Sequence, residues 1–226
     1  MGRLPIPLPV SAEIIKEITV ASAYAVLYDE EGWFIIAKKR TEGFYFGNGR
    51  KGDAYHKGIR ITNGPGQYAL PGGGIHKNEG AAAAAEREFI EETGVNLPAH
   101  KLIKAQSFSD RGSFTGAYFK ANNKNDVART GATIYGTSLK NAEKLIIEIK
   151  ENKWEGEIGY SNTVSYAVRN NLIPWPYDNE LEHVAVWNIT LADNWNTIKS
   201  WKGRDDIGWY YIVLRYLRVD LFGLAE

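Results

Sequence analysis

Residues 73–95 read GGIHKNEGAAAAAEREFIEETGV, from Gly73 to Val95. Ala81 to Ala85 are the best helix formers available, so the stretch predicts a helix. Asn78 is the expected N-cap, with Glu79 near the first turn, where negative charge is favoured. Ala82, Ala85 and Phe89 follow i, i+3, i+7 and predict the buried stripe. Thr93 ends the pattern, and Gly94 suits the left-handed residue that closes a helix. Glu88, Glu91 and Glu92 fall at i, i+3 and i+4, so a helix stacks them on one face. Like charges at these spacings repel, and the C-terminal half of a helix disfavours anions. A local rule broken this clearly marks a functional site. Several carboxylates on one face suit a hard, oxygen-seeking divalent cation such as Mg²⁺.

Upstream, Tyr68-Ala69-Leu70 predicts a short strand. Pro71 and Gly72-Gly73-Gly74 then force a sharp loop whose backbone can approach a phosphate or a metal closely. Gly73, five residues, Glu79, seven residues, Arg87-Glu88-Phe89, one residue, Glu91-Glu92, one residue, Gly94-Val95 resembles the complete signature of the Nudix hydrolases. Phe89 and Val95 fill its two bulky apolar positions. The box covers about a tenth of the chain, and the order of flanking segments extends the likeness more weakly over residues 18–220. Without the loop and the full spacing, the same residues would read as a solvated helix with an Arg87–Glu91 i,i+4 ion pair.

The resemblance implies an α/β/α sandwich and hydrolysis of the diphosphate linkage of a nucleoside diphosphate joined to another group. It implies Mg²⁺ or Mn²⁺ as cofactor. Glu88 and Glu92 are then the principal metal ligands, with Glu91 as ligand or as base through water and a backbone carbonyl near Gly73 completing the shell. Arg87 is expected to orient Glu79 and Glu91, since its fixed fork suits carboxylates. Family members often use another acid outside the box. Glu182, with Glu180, is the candidate, and an ordinary exposed loop acid is the alternative. Trp187 is a candidate to stack a base, with a core position as the alternative.

Composition narrows the rest. A chain of 226 residues can bury one substantial core, or one with an embedded subdomain. Zero net charge argues against a broad electrostatic hold on nucleic acid. The absence of cysteine excludes a disulfide framework, a thiolate nucleophile and a Cys-based zinc site. It also sets the chain apart from the isopentenyl diphosphate isomerases that share the implied fold. The longest apolar run, Val20 to Tyr28, is too short for a bilayer, and the first residues lack signal-peptide character, so a cytoplasmic protein is expected. The histidines His56, His76, His100 and His183 show no ligand spacing; only His76 adjoins the glycine loop.

Along the chain, residues 1–12 predict an extended Pro-rich arm. Thr19 to Tyr28 and Trp33 to Ala37 predict a hairpin across Asp29–Gly32. Residues 41–67 are too long for an ordinary connection and carry Phe44, Tyr45, Phe46 and Tyr55 with Arg50, Lys51, Lys57 and Arg60. They read either as a substrate-recognition insertion, with Arg40 and Arg60 as phosphate-binding candidates, or as a surface excursion with its own aromatic cluster. Lys101 to Ser107 and Thr115 to Ala121 predict strands, and polar Asn122 to Arg129 a loop. Leu139, Ala142, Ile146 and Ile149 predict an amphipathic helix over 137–151 whose stripe is core. Ser161 is expected to cap a second helix through Val168. The block 130–178 reads as a second insertion. His183 to Ile189 predicts a strand, Trp195, Ile198 and Trp201 a short helix, and Asp205 to Leu221 a last one. This order predicts a mixed sheet between helices in a single domain over 1–226.

The expected function is therefore metal-dependent hydrolysis of a small nucleotide derivative, without a membrane and with homodimers frequent in the resembling family. Two alternatives stay open. One is a nucleotide-binding regulatory module with little catalysis, suggested by the long insertions. The other is hydrolysis at RNA 5′ ends, suggested by the basic and aromatic stretch 38–60.

Overall fold

The computed structural model describes residues 21–46, 53–61, 64–110 and 112–226. The expected arm over 1–12, the start of the first strand at Thr19, and Arg50 and Lys51 lie outside the described residues.

Strand β1 (Ser22–Tyr28) is apolar on both faces, as a strand covered on both sides must be. A tight turn returns the chain into β2 (Trp33–Tyr45). Asp29 Oδ1 accepts from the backbone N–H groups of Glu31 and Trp33, each at 3.0 Å, and Gly32 takes φ +88°. The ladder between β1 and β2 holds one pair, Tyr28 with Phe34. Beyond it the strands part, and the glycine loop is wedged between them. β4 (Tyr68–Ala69) pairs with β2, and β5 (Gly72–Gly74) pairs with β1. This wedge fixes where the glycine loop sits. β3 (Ile59–Arg60) pairs with the far part of β2.

β6 (His100–Ser109) and β7 (Ser113–Ala121) form an antiparallel pair, and β7 lies parallel to β1. β8 (Asp178–Asn188) closes the other side of β2. The sheet is therefore mixed, with eight strands among the described residues.

Helices cover both faces of the sheet. On one side α1 (Ala81–Thr93) and α2 (Lys124–Thr133), with the π-helical turn Ile134–Ser138, pack on Ala23, Ala25, Leu27, Ile35 and Phe119. On the other, α5 (Ala192–Lys199) and α6 (Gly208–Tyr216) pack Trp195, Ile198, Tyr210 and Leu214 on Val26, Phe34, Ile36 and Tyr118. This is an α/β/α sandwich. A third packing unit lies at one end. There α3 (Leu139–Asn152) lays Ala142, Ile146 and Ile149 on Phe44 and Phe46, and its Leu145 meets Ala167 of α4 (Gly156–Arg169).

Several boundaries differ from expectation. The box helix starts at Ala81 with Gly80 as N-cap, because Asn78 takes φ +67° in a turn that Glu79 N–H closes onto the His76 carbonyl at 3.0 Å. Of its expected stripe, Ala85 and Phe89 are buried with Ala84, while Ala82 is only partly so. Residues 124–133 form a helix that overlaps the loop expected over Asn122 to Arg129; Val127, fully buried, is its apolar anchor. Helix α4 begins five residues before Ser161. β2 runs on to Tyr45, and β8 begins five residues before His183. The last helix turns π-helical over Leu217–Leu221.

Candidate active site

Helix α1 presents its acids to the glycine loop. Glu92 is 3% exposed and accepts a long hydrogen bond from Gly72 N–H at 3.3 Å. Glu88 lies against Gly73 so closely that a Cβ there would stand 2.6 Å from its carboxyl carbon. Only glycine allows this approach. Gly94 ends the helix at φ +70°, its N–H on the Ile90 carbonyl at 2.7 Å, and Ser138 Oγ donates to the Thr93 carbonyl at 2.6 Å.

Arg87 holds the acids in order. Its Nε and Nη2 donate to the two oxygens of Glu79 at 2.9 and 3.0 Å. Its Nη1 donates to Glu88 at 2.8 Å and to Glu91 at 2.9 Å, and its Nη2 also reaches the Gly74 carbonyl at 2.9 Å. The Arg87 hydrogen bonds hold the Glu79 carboxyl down at about 2, with help from the His76 N–H. Glu79 thus serves as the anchor of the arginine.

The cleft beside these groups has a volume of about 380 Å³. It is lined by Gly72–Gly74, Glu88 and Glu92, and by Lys39, Tyr45, Arg60, Asp178 and Glu180 from the strands opposite. Lys39 Nζ donates to Glu180 Oε2 at 2.9 Å, and the Tyr45 hydroxyl donates to Glu180 Oε1 at 2.9 Å. Both Glu180 oxygens are therefore engaged. Asp178 is different: its Oδ1 is buried and has no hydrogen-bond partner. Burial pushes its pKa up to about 7, reinforced by the charges of Glu91, Glu180 and Glu88. Burial likewise raises Glu88, against the pull of Arg87. Burial drives Glu92 well above the carboxylate range, with Lys39 opposing and Glu180, Glu88 and Asp178 adding to the rise.

A larger hollow of about 440 Å³ lies elsewhere, between Tyr24, Phe114 and Trp209. It holds none of the box acids, and its cations Lys202 and Arg204 are paired with Glu226 and Asp206. The box acids Glu88 and Glu92 line the smaller cleft instead.

Glu79, Arg87 and Glu91 do not line that cleft but join it through the Arg87 bond to Glu88, and three other expected site residues serve elsewhere. Glu182 is an extra residue in the β8 ladder, between Leu181 opposite Lys39 and His183 opposite Lys38. The bulge turns it outward, where its half-exposed carboxylate meets Lys38 at 3.6 Å. Arg40 is spent on structure: its Nε donates to the Leu181 carbonyl at 3.0 Å, and its Nη2 lies 3.8 Å from Glu143 on α3. Trp187 packs against Tyr68 and Trp201 under α5 and α6, with ring centroids 4.8 and 6.2 Å apart. It is a partly buried aromatic packed against the core. Arg60 does line the cleft and makes no ion pair among the described residues. Asp178, Lys39 and Tyr45 are the cleft residues that sequence reasoning missed. Their signal is parity: Asp178 and Glu180 are two apart, but a strand started at His183 hides it.

The donors fit a divalent cation in type and charge. Oxygens of Glu88, Glu92 and Asp178 share one cleft, and a buried carboxylate oxygen there lacks any partner. Among the described residues no group of three or more acidic or histidine side chains is placed to hold a metal ion.

The NUDIX domain family model matches residues 19–130. No curated protein matches. Among solved structures, an Ap4A hydrolase binary complex from C. elegans is 13% identical over 91% of this chain and 99% of that one, with a TM-score of 0.42. The MutT protein of Methanosarcina mazei Go1 is 22% identical over 46% of this chain and 62% of that one, with a TM-score of 0.28. A bifunctional NMN adenylyltransferase/ADP ribose pyrophosphatase from Francisella tularensis, complexed with AMP and a Mn ion, is 19% identical over 47% and 28%, with a TM-score of 0.31. The assignment rests on the domain match and the complete box, not on these distant likenesses. Residues 19–130 are a NUDIX domain, and they carry the box of the Nudix hydrolases in full.

Proposed function

We propose that this chain is a divalent-cation-dependent hydrolase that splits the diphosphate linkage of a nucleoside diphosphate derivative. The observation that carries this reading is the gathering of Glu88, Glu92, Asp178 and Glu180 with the Gly72–Gly74 backbone around one cleft. A phosphoanhydride is itself anionic and the bare carboxylates repel it, so hydrolysis calls for a cation between them, whatever weaker hold the cleft's own cations give. Glu88, Glu92 and Asp178 are the residues that would hold Mg²⁺ or Mn²⁺, with a Gly73 backbone oxygen alongside. Once bound, such an ion neutralises charge, orients the diphosphate and lowers the pKa of a coordinated water.

The chain's own groups do the rest. Arg87 fixes the rotamers of Glu88 and Glu91 through one nitrogen, so neither carboxylate swings away. Glu91, which is not among those ligands, is the candidate to accept the proton of the attacking water. Arg60, which lines the cleft and makes no ion pair among the described residues, is the candidate to meet a phosphate of the substrate.

The test is Glu88→Gln, assayed with Mg²⁺ and Mn²⁺ over nucleoside triphosphates, nucleotide sugars, dinucleotides and capped RNA. The variant keeps its fold by circular dichroism and loses at least about a hundredfold in turnover, the upper end of what losing a supporting group around a metal costs. Turnover equal to the parent's overturns the assignment.

A further inference from the structure

The cleft holds a cation of its own. Lys39 reaches in from β2 with 7% of its side chain exposed, and its ammonium is fixed on Glu180 at 2.9 Å. Glu180 is itself pinned from the other side by the Tyr45 hydroxyl at 2.9 Å. The sheet is irregular on both sides of Lys39: the β2–β8 register shifts between Lys38 and Lys39, and again between Lys39 and Phe44. Irregular pairing of this kind re-aims side chains beside active sites. Here it leaves Lys38 on the surface with Glu182 and turns its neighbour Lys39 into the cleft.

An ammonium carries three donors, and this one spends a single proton, on Glu180. The other two have no acceptor among the described residues. Burial opposes the charge on Lys39, but Tyr210, Glu92 and Glu180 outweigh it, so the group stays protonated. A buried, charged donor with unspent protons, beside a loop of three glycines, calls for an anionic acceptor from outside the chain.

We infer that Lys39, positioned by Glu180 and Tyr45, is a phosphate clamp that grips a non-bridging oxygen of the substrate's diphosphate. The inference rests on the hydrolase reading for the identity of that diphosphate, but the grip itself needs no metal. The alternative is a purely structural ion pair joining β2 to β8, which would affect stability and leave phosphate binding untouched.

The test is calorimetric titration of the full chain with α,β-methylene-ADP, a non-hydrolysable diphosphate, in chelator. Lys39→Gln keeps a donor for Glu180 and removes the ammonium; Lys39→Met removes both; Lys39→Arg keeps the charge. The parent binds the probe without metal. Lys39→Met and Lys39→Gln weaken binding about tenfold or more, as expected for a lost charge-assisted hydrogen bond, and Lys39→Arg stays within about threefold of the parent on the same scale. Should Lys39→Met fail to fold, Lys39→Gln gives the answer. With Mn²⁺ alone, both neutral variants bind at least as tightly as the parent, because a competing positive charge has left the cleft. Probe binding by Lys39→Gln equal to the parent's overturns the clamp. So does a folded Lys39→Arg that loses as much as Lys39→Gln, or a parent that binds no probe in chelator. A parent that binds the probe yet cleaves no phosphoanhydride leaves the clamp standing and removes the hydrolase reading. A parent that cleaves, with variants that bind the probe unchanged, removes the clamp alone.

Discussion

Replacing Asp178 by Asn should stabilise the metal-free protein at neutral and alkaline pH. In the folded chain Asp178 titrates at about 7, pushed up by burial and then by Glu91, Glu180 and Glu88, against 3.8 as its ordinary value. The native state therefore keeps this proton to higher pH than the unfolded chain does. Between the two values the unfolded state binds fewer protons, so stability falls as pH rises. Below about pH 4 both states are protonated, and above about 7 both are ionised, so the loss is confined to that window. A shift of this size corresponds to about 4 kcal/mol. The assay is urea unfolding in chelator at several pH values from 4.5 to 8, for the parent and Asp178→Asn. The parent should lose stability across the window, with Glu88 and Glu92 adding to the loss. Asp178→Asn should lose about 4 kcal/mol less. Adding Mn²⁺ should restore the parent at pH 8 and do far less for the variant, since a ligand that binds only the native state stabilises it. Identical pH slopes in the two proteins would refute the reasoning.

Gly73→Ala should fold and yet lose activity, because the new Cβ meets the end of the Glu88 side chain at 2.6 Å rather than backbone. A displacement of that carboxylate by about 1 Å should cost on the order of a hundredfold in kcat. Gly72→Ala should instead fail to fold, since its Cβ would stand 2.3 Å from the Ala23 carbonyl oxygen; circular dichroism and rate assays separate the two. Trp187→Leu should lower unfolding free energy by about 2 kcal/mol as a large-to-small core change, with KM unchanged. A KM raised about tenfold or more, the scale of a lost base stack, would return Trp187 to the substrate.

The box region was legible because its determinants are local. Alanine-driven helix propensity, the repelling glutamates and the Gly94 stop all act within one segment, and the helix ends at Thr93 as expected. Helix α2 was illegible for the converse reason. Between Lys124 and Thr133, Val127 is the one large apolar residue it buries, so its polarity imitates a loop and tertiary packing makes the helix. The long strands were cut short for another reason. Phe44 and Tyr45 pair with Asn179 and Asp178 across more than 130 positions of sequence, and no local period reveals that partnership.

The same nonlocality decided which acid outside the box was misjudged. A strict alternation of faces puts Glu180 and Glu182 on the same side of a strand, so sequence alone offers no way to choose between them. The bulge opposite Lys38 breaks that alternation and expels Glu182. Glu180 stays inside, committed to Lys39 and Tyr45, and Asp178 is left without a hydrogen-bond partner for its buried oxygen. Charge then explains why the arrangement is kept. Arg87 is divided among three carboxylates and Lys39 is bound to one, while among the described residues Glu92 receives only a backbone N–H and the buried Oδ1 of Asp178 has no partner. A fold selected for stability alone would replace these two acids with amides or apolar groups. Their joint survival in a cleft that penalises both makes sense when a ligand with the opposite charge supplies what Arg87 and Lys39 do not.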